Sequence, residues 1–220
     1  MKLTVFNGSP RKAKSNSTIL IDHFIKGYNS HDTHNIDIHY LADSSTTSLQ
    51  IEAFAKTDTA IIIFPLYTDA MPGQVKRFFE LIDPIDTKGK TVGFIVQSGF
   101  PEAYHSIFIE RYLEKLARRK EWNYLGTIIK GGVEGMQIMP PSMTKKLFTA
   151  FEMLGRTFAD TGKFDPVIKN KLRKPYRINF LSRILYRLII LLGFSNYYWN
   201  TKLKENNAFD RRFAQPYLSK

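Results

Sequence analysis

The run Ala60-Ile61-Ile62-Ile63-Phe64 is apolar at every position, and that continuity limits what the chain can become. A strand with one wet face alternates apolar and polar residues, whereas a strand inside a parallel sheet is covered on both faces and reads apolar throughout. Thr59–Phe64 is therefore expected to be a central parallel strand. Further apolar runs at Lys2–Asn7, Thr91–Gln97 and Tyr124–Lys130 fit the same sheet, and the shorter, alternating Ile36–Leu41 suits an edge. Between them lie segments of helical period at Ser17–Tyr28, Ser48–Lys56, Pro72–Ile82, Tyr104–Trp122 and Ser142–Asp160. Strands alternating with helices mean right-handed crossovers and an α/β fold. The expectation is a five-stranded parallel sheet of order 2-1-3-4-5 with helices on both faces.

Sheets of this kind take ligands beyond the carboxyl ends of their strands, at the switch point beside strand one. That rule selects the loops Gly8–Asn16, Pro65–Gly73 and Ser98–Ala103. In the first, Ser15 or Asn16 is a natural helix cap, and an anion there would meet unpaired first-turn N–H groups at the positive end of the helix dipole. Ser9, Ser15 and Ser17 offer hydroxyls, Asn16 an amide and Arg11 a bidentate fork. By itself the segment is equally a polar turn that caps a helix, and it is neither a P-loop nor a dinucleotide fingerprint. In the second loop, Pro65, Pro72 and Gly73 stiffen the turn, while Leu66, Tyr67 and Met71 supply apolar and aromatic walls for a flat ring. In the third, Ser98 and Gly99 form a small turn, Phe100 is placed to border a ring, and Glu102 either accepts from a ligand or caps the next helix, the cap being favoured.

Composition divides the chain. Residues 1–162 carry 19 Lys+Arg against 17 Asp+Glu, and residues 163–220 carry 13 against 3. The expected organisation is a nearly neutral domain at 1–162 and a basic, partly helical extension at 163–220, so nucleic-acid binding by the main domain is not expected. The absence of Cys excludes disulfides, thiolate-bound iron–sulfur clusters and a Cys nucleophile. No metal site is expected either: His31, His34 and His39 read as solvated residues near strand two, and His23 and His105 as structural. The chain opens on an apolar strand without a secretory leader, so the expected location is cytoplasmic. In the extension, Leu181, Ile184, Leu185, Leu188, Leu191 and Leu192 recur at helical spacing, with Arg183 and Arg187 on another face and Tyr197-Tyr198-Trp199 beyond. The uncharged stretch is too short to span a bilayer. Packing on the chain's own core or on a partner, peripheral membrane contact through residues 176–199, and a lid over the ligand all remain open.

Together the motifs Gly8-Ser9-Pro10-Arg11, Ser15-Asn16-Ser17, Pro65-Leu66-Tyr67, Met71-Pro72-Gly73 with Lys76, and Ser98-Gly99 resemble the NADPH-dependent FMN reductase and flavodoxin-like NAD(P)H oxidoreductase superfamily. The nearest likeness is to its iron–sulfur flavoprotein-like branch, over roughly residues 1–160. The resemblance implies a flavodoxin-like fold and bound FMN, its phosphate on the first motif and its ring along the second and third. It also implies NAD(P)H as donor, a small-molecule acceptor such as a flavin or quinone, and a homodimer. No protein residue is expected to be catalytic, because the chemistry belongs to the flavin. A non-enzymatic electron carrier or an FMN-binding interaction module is the alternative. One departure is clear: the branch's clustered cysteines are missing from Leu41–Ser48.

Overall fold

Five parallel strands form one sheet in the order β2-β1-β3-β4-β5: β1 is Leu3–Asn7, β2 Asp37–Tyr40, β3 Thr59–Pro65, β4 Thr91–Gln97 and β5 Asn123–Lys130. This computed structural model describes residues 3–32, 35–191, 196–215 and 217–218. Lys2 of the first expected strand, His34 and Leu192 lie outside the described residues, as do the side chains of Leu181, Leu185 and Tyr198. All seven residues of β3 are buried, as its unbroken apolar run demands, whereas the four of β2 are only partly covered at the sheet edge.

Side-chain alternation sorts the strands' residues between two layers. Val5, Ile61, Ile63, Ile95 and Ile128 face one core, shared with α1 (Asn16–Tyr28) and α5 (Pro141–Thr161). Phe6, Ile62, Phe64, Phe94 and Val96 face the other, shared with α2 (Thr47–Lys56), α3 (Gly73–Leu81) and α4 (Ile107–Arg119). The α1–α5 contact is backbone on backbone. A Cβ at Gly27 would lie 1.8 Å from the Glu152 carbonyl oxygen, and one at Gly155 would lie 1.9 Å from that of Phe24. The helix expected from Tyr104 begins instead as a single 3-10 turn, Ala103–Ser106. There the Ala103 and Tyr104 amides donate to the carbonyls of Pro175 and Tyr176.

The main compact unit runs from Met1 to Arg177, beyond the boundary expected after residue 162. The reason is burial: Phe164, Ile168 and Leu172 all sit in the α1–α5 core. Ile168 and Leu172 are carried by α6 (Pro166–Leu172), whose first turn is capped by the Asp165 carboxylate accepting from the Ile168 amide at 2.9 Å. Arg173 adds an ion pair to Glu110 of α4.

The second unit, Ile178–Lys220, contains α7 (Phe180–Leu191) and α8 (Tyr197–Glu205). Asn179 starts α7 by accepting from the Ser182 amide at 2.8 Å. Phe180, Ile184, Leu188 and Leu191 of α7 and Trp199 of α8 are exposed. Among the described residues, no helix is long and apolar enough to cross a membrane.

Candidate functional site

The loop from β1 to α1 is packed too tightly for any residue but glycine at its start. A Cβ at Gly8 would fall 2.2 Å from Val75 Cγ2 in the first turn of α3. The Gly8 amide donates to the Ile63 carbonyl at 2.7 Å, and Gln74 Nε2 donates to the Gly8 carbonyl at 2.9 Å. Asn7 Oδ1 then accepts from the Ser9 amide, and Ser9 Oγ from the Arg11 amide. Ser15 is the N-cap of α1, its hydroxyl accepting from the Thr18 amide at 3.1 Å.

The first turn of α1 is under-satisfied. Among the described residues the backbone amides of Asn16 and Ser17 have no backbone acceptor, as expected for a first helical turn. Ser17 is fully buried, yet among the described residues its Oγ has no hydrogen-bond partner, and neither has Asn16 Oδ1. Such buried groups are rare in folded proteins, and a role in binding a ligand is one recognised explanation. The side-chain amide of Asn16 behaves differently from expectation. Its Nδ2 donates to the carbonyls of Val133 (2.8 Å) and Glu134 (3.4 Å), so it clamps the loop after β5 rather than awaiting an anion. The open donors at this turn are therefore two backbone amides and the Ser17 hydroxyl.

A cleft of about 50 Å³ opens at this turn, lined by Asn16 and not by Ser17. It gathers Ser9, Arg11, Asn16, Pro65, Leu66, Tyr67, Ser98 and Gly99 from the three expected loops. Two further residues line it, Gln97 and Glu134. Glu134 reaches Arg11 across the opening, 3.2 Å from its Nη2. The loop carrying it is tied to the third loop by Val133 N–H to the Ser98 carbonyl, Ser98 N–H to the Lys130 carbonyl and Gly132 N–H to the Phe100 carbonyl. A sequence signal for this fourth loop exists: β5 runs parallel beside β4, so the loops after both strands emerge at one edge.

At the rim, Tyr67 and Ala70 exchange two backbone hydrogen bonds of 3.0 Å around a turn with φ of 50° at Thr68 and 57° at Asp69. Left-handed geometry at two non-glycine residues, one of them β-branched, is costly and concentrates at functional sites. It holds the Tyr67 ring at the surface, 43% exposed.

Other expected residues do not form these walls. Ser15 and Ser17 lie in the buried start of α1, and Met71 packs against the core. Pro72 is buried at the entry to α3, and Gly73 faces open space. Phe100 stacks on His105 with ring centres 4.5 Å apart. Glu102 makes no side-chain cap and sits instead 3.5 Å from His105 Nε2, so the favoured capping role is corrected. A larger groove of about 400 Å³ runs between α3 and α4, but charges lining it pair with each other, Lys76 with Glu80 along α3 and Lys120 with Asp83 between the ends of the two helices. Among the described residues, no three His, Cys, Asp or Glu side chains group to hold a metal ion.

A family model described as flavodoxin-like fold matches residues 1–146. The chain belongs to that family. No curated protein matches this flavodoxin-like protein. Among solved structures it is similar to an NADPH-quinone reductase from P. pentosaceus, at 19% identity and TM-score 0.54 over 69% of this chain and 96% of that one. An FMN-dependent NADH-azoreductase from Bacillus anthracis, in complex with FMN, aligns at 15% identity and TM-score 0.54 over 72% and 100%. An NAD(P)H:quinone oxidoreductase from Methanothermobacter marburgensis aligns at 15% identity and TM-score 0.56 over 72% and 96%. At these identities the likeness is one of fold.

Proposed function

We propose that this flavodoxin-like protein binds FMN at the carboxyl edge of its sheet and acts as an NAD(P)H-dependent oxidoreductase of the flavin or quinone reductase type. The observation that carries the reading is the buried, partnerless Ser17 hydroxyl beside two unpaired amides at the start of α1. A phosphate satisfies all three donors at once and is favoured by the helix dipole. Arg11 adds charge, held meanwhile by Glu134. The cleft is far smaller than the several hundred Å³ that enclose a whole ligand. The ring therefore rests on the open side, against Pro65, Leu66 and Tyr67 and under the Ser98–Gly99 turn, with one face left for a nicotinamide or an acceptor. Solved structures of the same fold that carry NAD(P)H-dependent quinone and azo reductase names support the assignment.

When bound, FMN supplies the hydride chemistry. The chain's residues bind the phosphate, orient the ring and leave one of its faces accessible. Anaerobic mixing of FMN-loaded protein with NADPH and with NADH tests the role. Rapid loss of the visible flavin absorbance with at least one of them is expected, and a colour that persists with both would reduce the protein to a carrier or binding module.

We further infer a cytoplasmic homodimer in which a second copy borders the binding site while the open ring face stays accessible; light scattering at the mass of a single chain would remove the dimer. The unit at 178–220 carries seven Lys+Arg against two Asp+Glu. With its exposed Phe180, Ile184, Leu188 and Trp199, it has the make-up of a segment that lies on an anionic membrane surface. The full chain is expected to float with anionic vesicles and not with neutral ones, and Arg183→Glu with Arg187→Glu to abolish flotation. Flotation equal on both vesicle types would refute the electrostatic contact.

A further inference from the structure

Beyond the end of β5 lies a second cavity, of about 290 Å³, which no step of the proposed redox function uses. Met136 is buried in its wall, Met139 and Met143 stand exposed at its mouth, and three lysines border it: Lys130, Lys146 and Lys171. Lys130 closes β5 and is half-buried, while Lys146 and Lys171 stand exposed. The described residues place no carboxylate in ion-pair range of any of the three. Burial pushes the Lys130 ammonium below its usual pKa, with no acidic neighbour opposing the shift. A half-buried ammonium without a counter-charge gains from an anion that joins it. Methionine walls are unbranched and polarizable, and they adapt to flexible apolar ligands.

We propose that this cavity binds an amphipathic anion, a straight-chain carboxylate whose head pairs with Lys130 and whose tail lies along the methionines. Size sets the class: at roughly 30 Å³ per water-sized group, the cavity holds on the order of ten heavy atoms, those of an octanoate. The site is separate from the anion cleft, but the two share one loop. Gly132 lines the cavity, and Val133 and Glu134, just beyond it, hold Asn16.

The test uses the full chain labelled at its methionine methyl groups and titrated by NMR with octanoate, octanol and acetate. Octanoate is expected to shift saturably the resonances lost in Met136→Leu, Met139→Leu and Met143→Leu variants. Octanol, with the tail but not the charge, is expected to bind about tenfold more weakly, and acetate, with the charge but no tail, not to shift them. In Lys130→Met the preference for octanoate over octanol should disappear. Octanol binding as tightly as octanoate, or methionine signals unmoved by either, would overturn the proposal. The wild-type comparison decides the matter even if Lys130→Met does not fold. Because the readout needs no flavin, its outcome is independent of the FMN assignment.

Discussion

Ser17 carries a hydroxyl into the interior where, among the described residues, no hydrogen-bonding group meets it, and the consequence is measurable in opposite directions. In ligand-free protein, Ser17→Ala removes a desolvated, unsatisfied group and is expected to raise stability by about 1 kcal/mol. In the same variant FMN affinity is expected to fall about tenfold, because the proposed charge-assisted bond to the phosphate is removed. Thermal melts with and without FMN check both, and a variant that loses stability without gaining a flavin defect would argue that Ser17 is merely structural. Single residues are unevenly legible in the sequence. Ser15 is a cap because its type and position make it one. The role of Asn16 as a clamp cannot be read locally, because its partners at 133 and 134 arrive from the far end of the domain. Glu102 shows a shorter-range limit: the turn it enters is 3-10 rather than α, and that geometry brings its carboxylate to the His105 ring instead of a backbone amide.

Elements are the most legible scale. A strand apolar at every position is covered on both faces, which places β3 inside the sheet. Boundaries differ by a residue or so except at α4, which starts only after the 3-10 turn and ends at Arg119 rather than Trp122, ahead of Glu121 at a φ of 52°. The helix α6 falls inside the expected basic extension, although Asp165-Pro166 is a start signal, a capping carboxylate before a proline in the first turn. The closeness of α1 to α5 is not legible, since nothing local to either helix reveals that two glycines face each other's backbones. It yields a sharp expectation. Gly155→Ala drives a methyl into the Phe24 carbonyl, where only movement of a whole helix gives relief, and is expected to cost at least about 3 kcal/mol. Gly73→Ala, with open space around it, should leave the free protein unchanged or slightly stabilised. Urea midpoints of the two variants make the comparison, and equal midpoints would contradict the packing described.

For the whole molecule, charge and composition locate a change of character near residue 162, but the compact unit ends at Arg177 because burial, not charge, holds it together. Phe164, Ile168 and Leu172 are among its well-covered side chains. A chain ending at residue 162 is therefore expected to lose several kcal/mol at roughly 1.5–3 kcal/mol per removed side chain, and one ending at residue 177 to melt cooperatively near the full-length value. Circular dichroism melts of both distinguish this from a boundary at 162.

The pairing of α1 with α5 also has a bearing on how the protein is made. The stripe Leu20, Ile21 and Phe24 leaves the ribosome early, while Phe151, Leu154 and Phe158, which cover it, lie past the end of the family-matched region. At typical translation speeds of roughly 5–20 residues per second, that stripe waits on the order of ten seconds for its cover. Through that interval the nascent chain presents an oily helix to its surroundings, and holding it until α5 emerges is work for a chaperone.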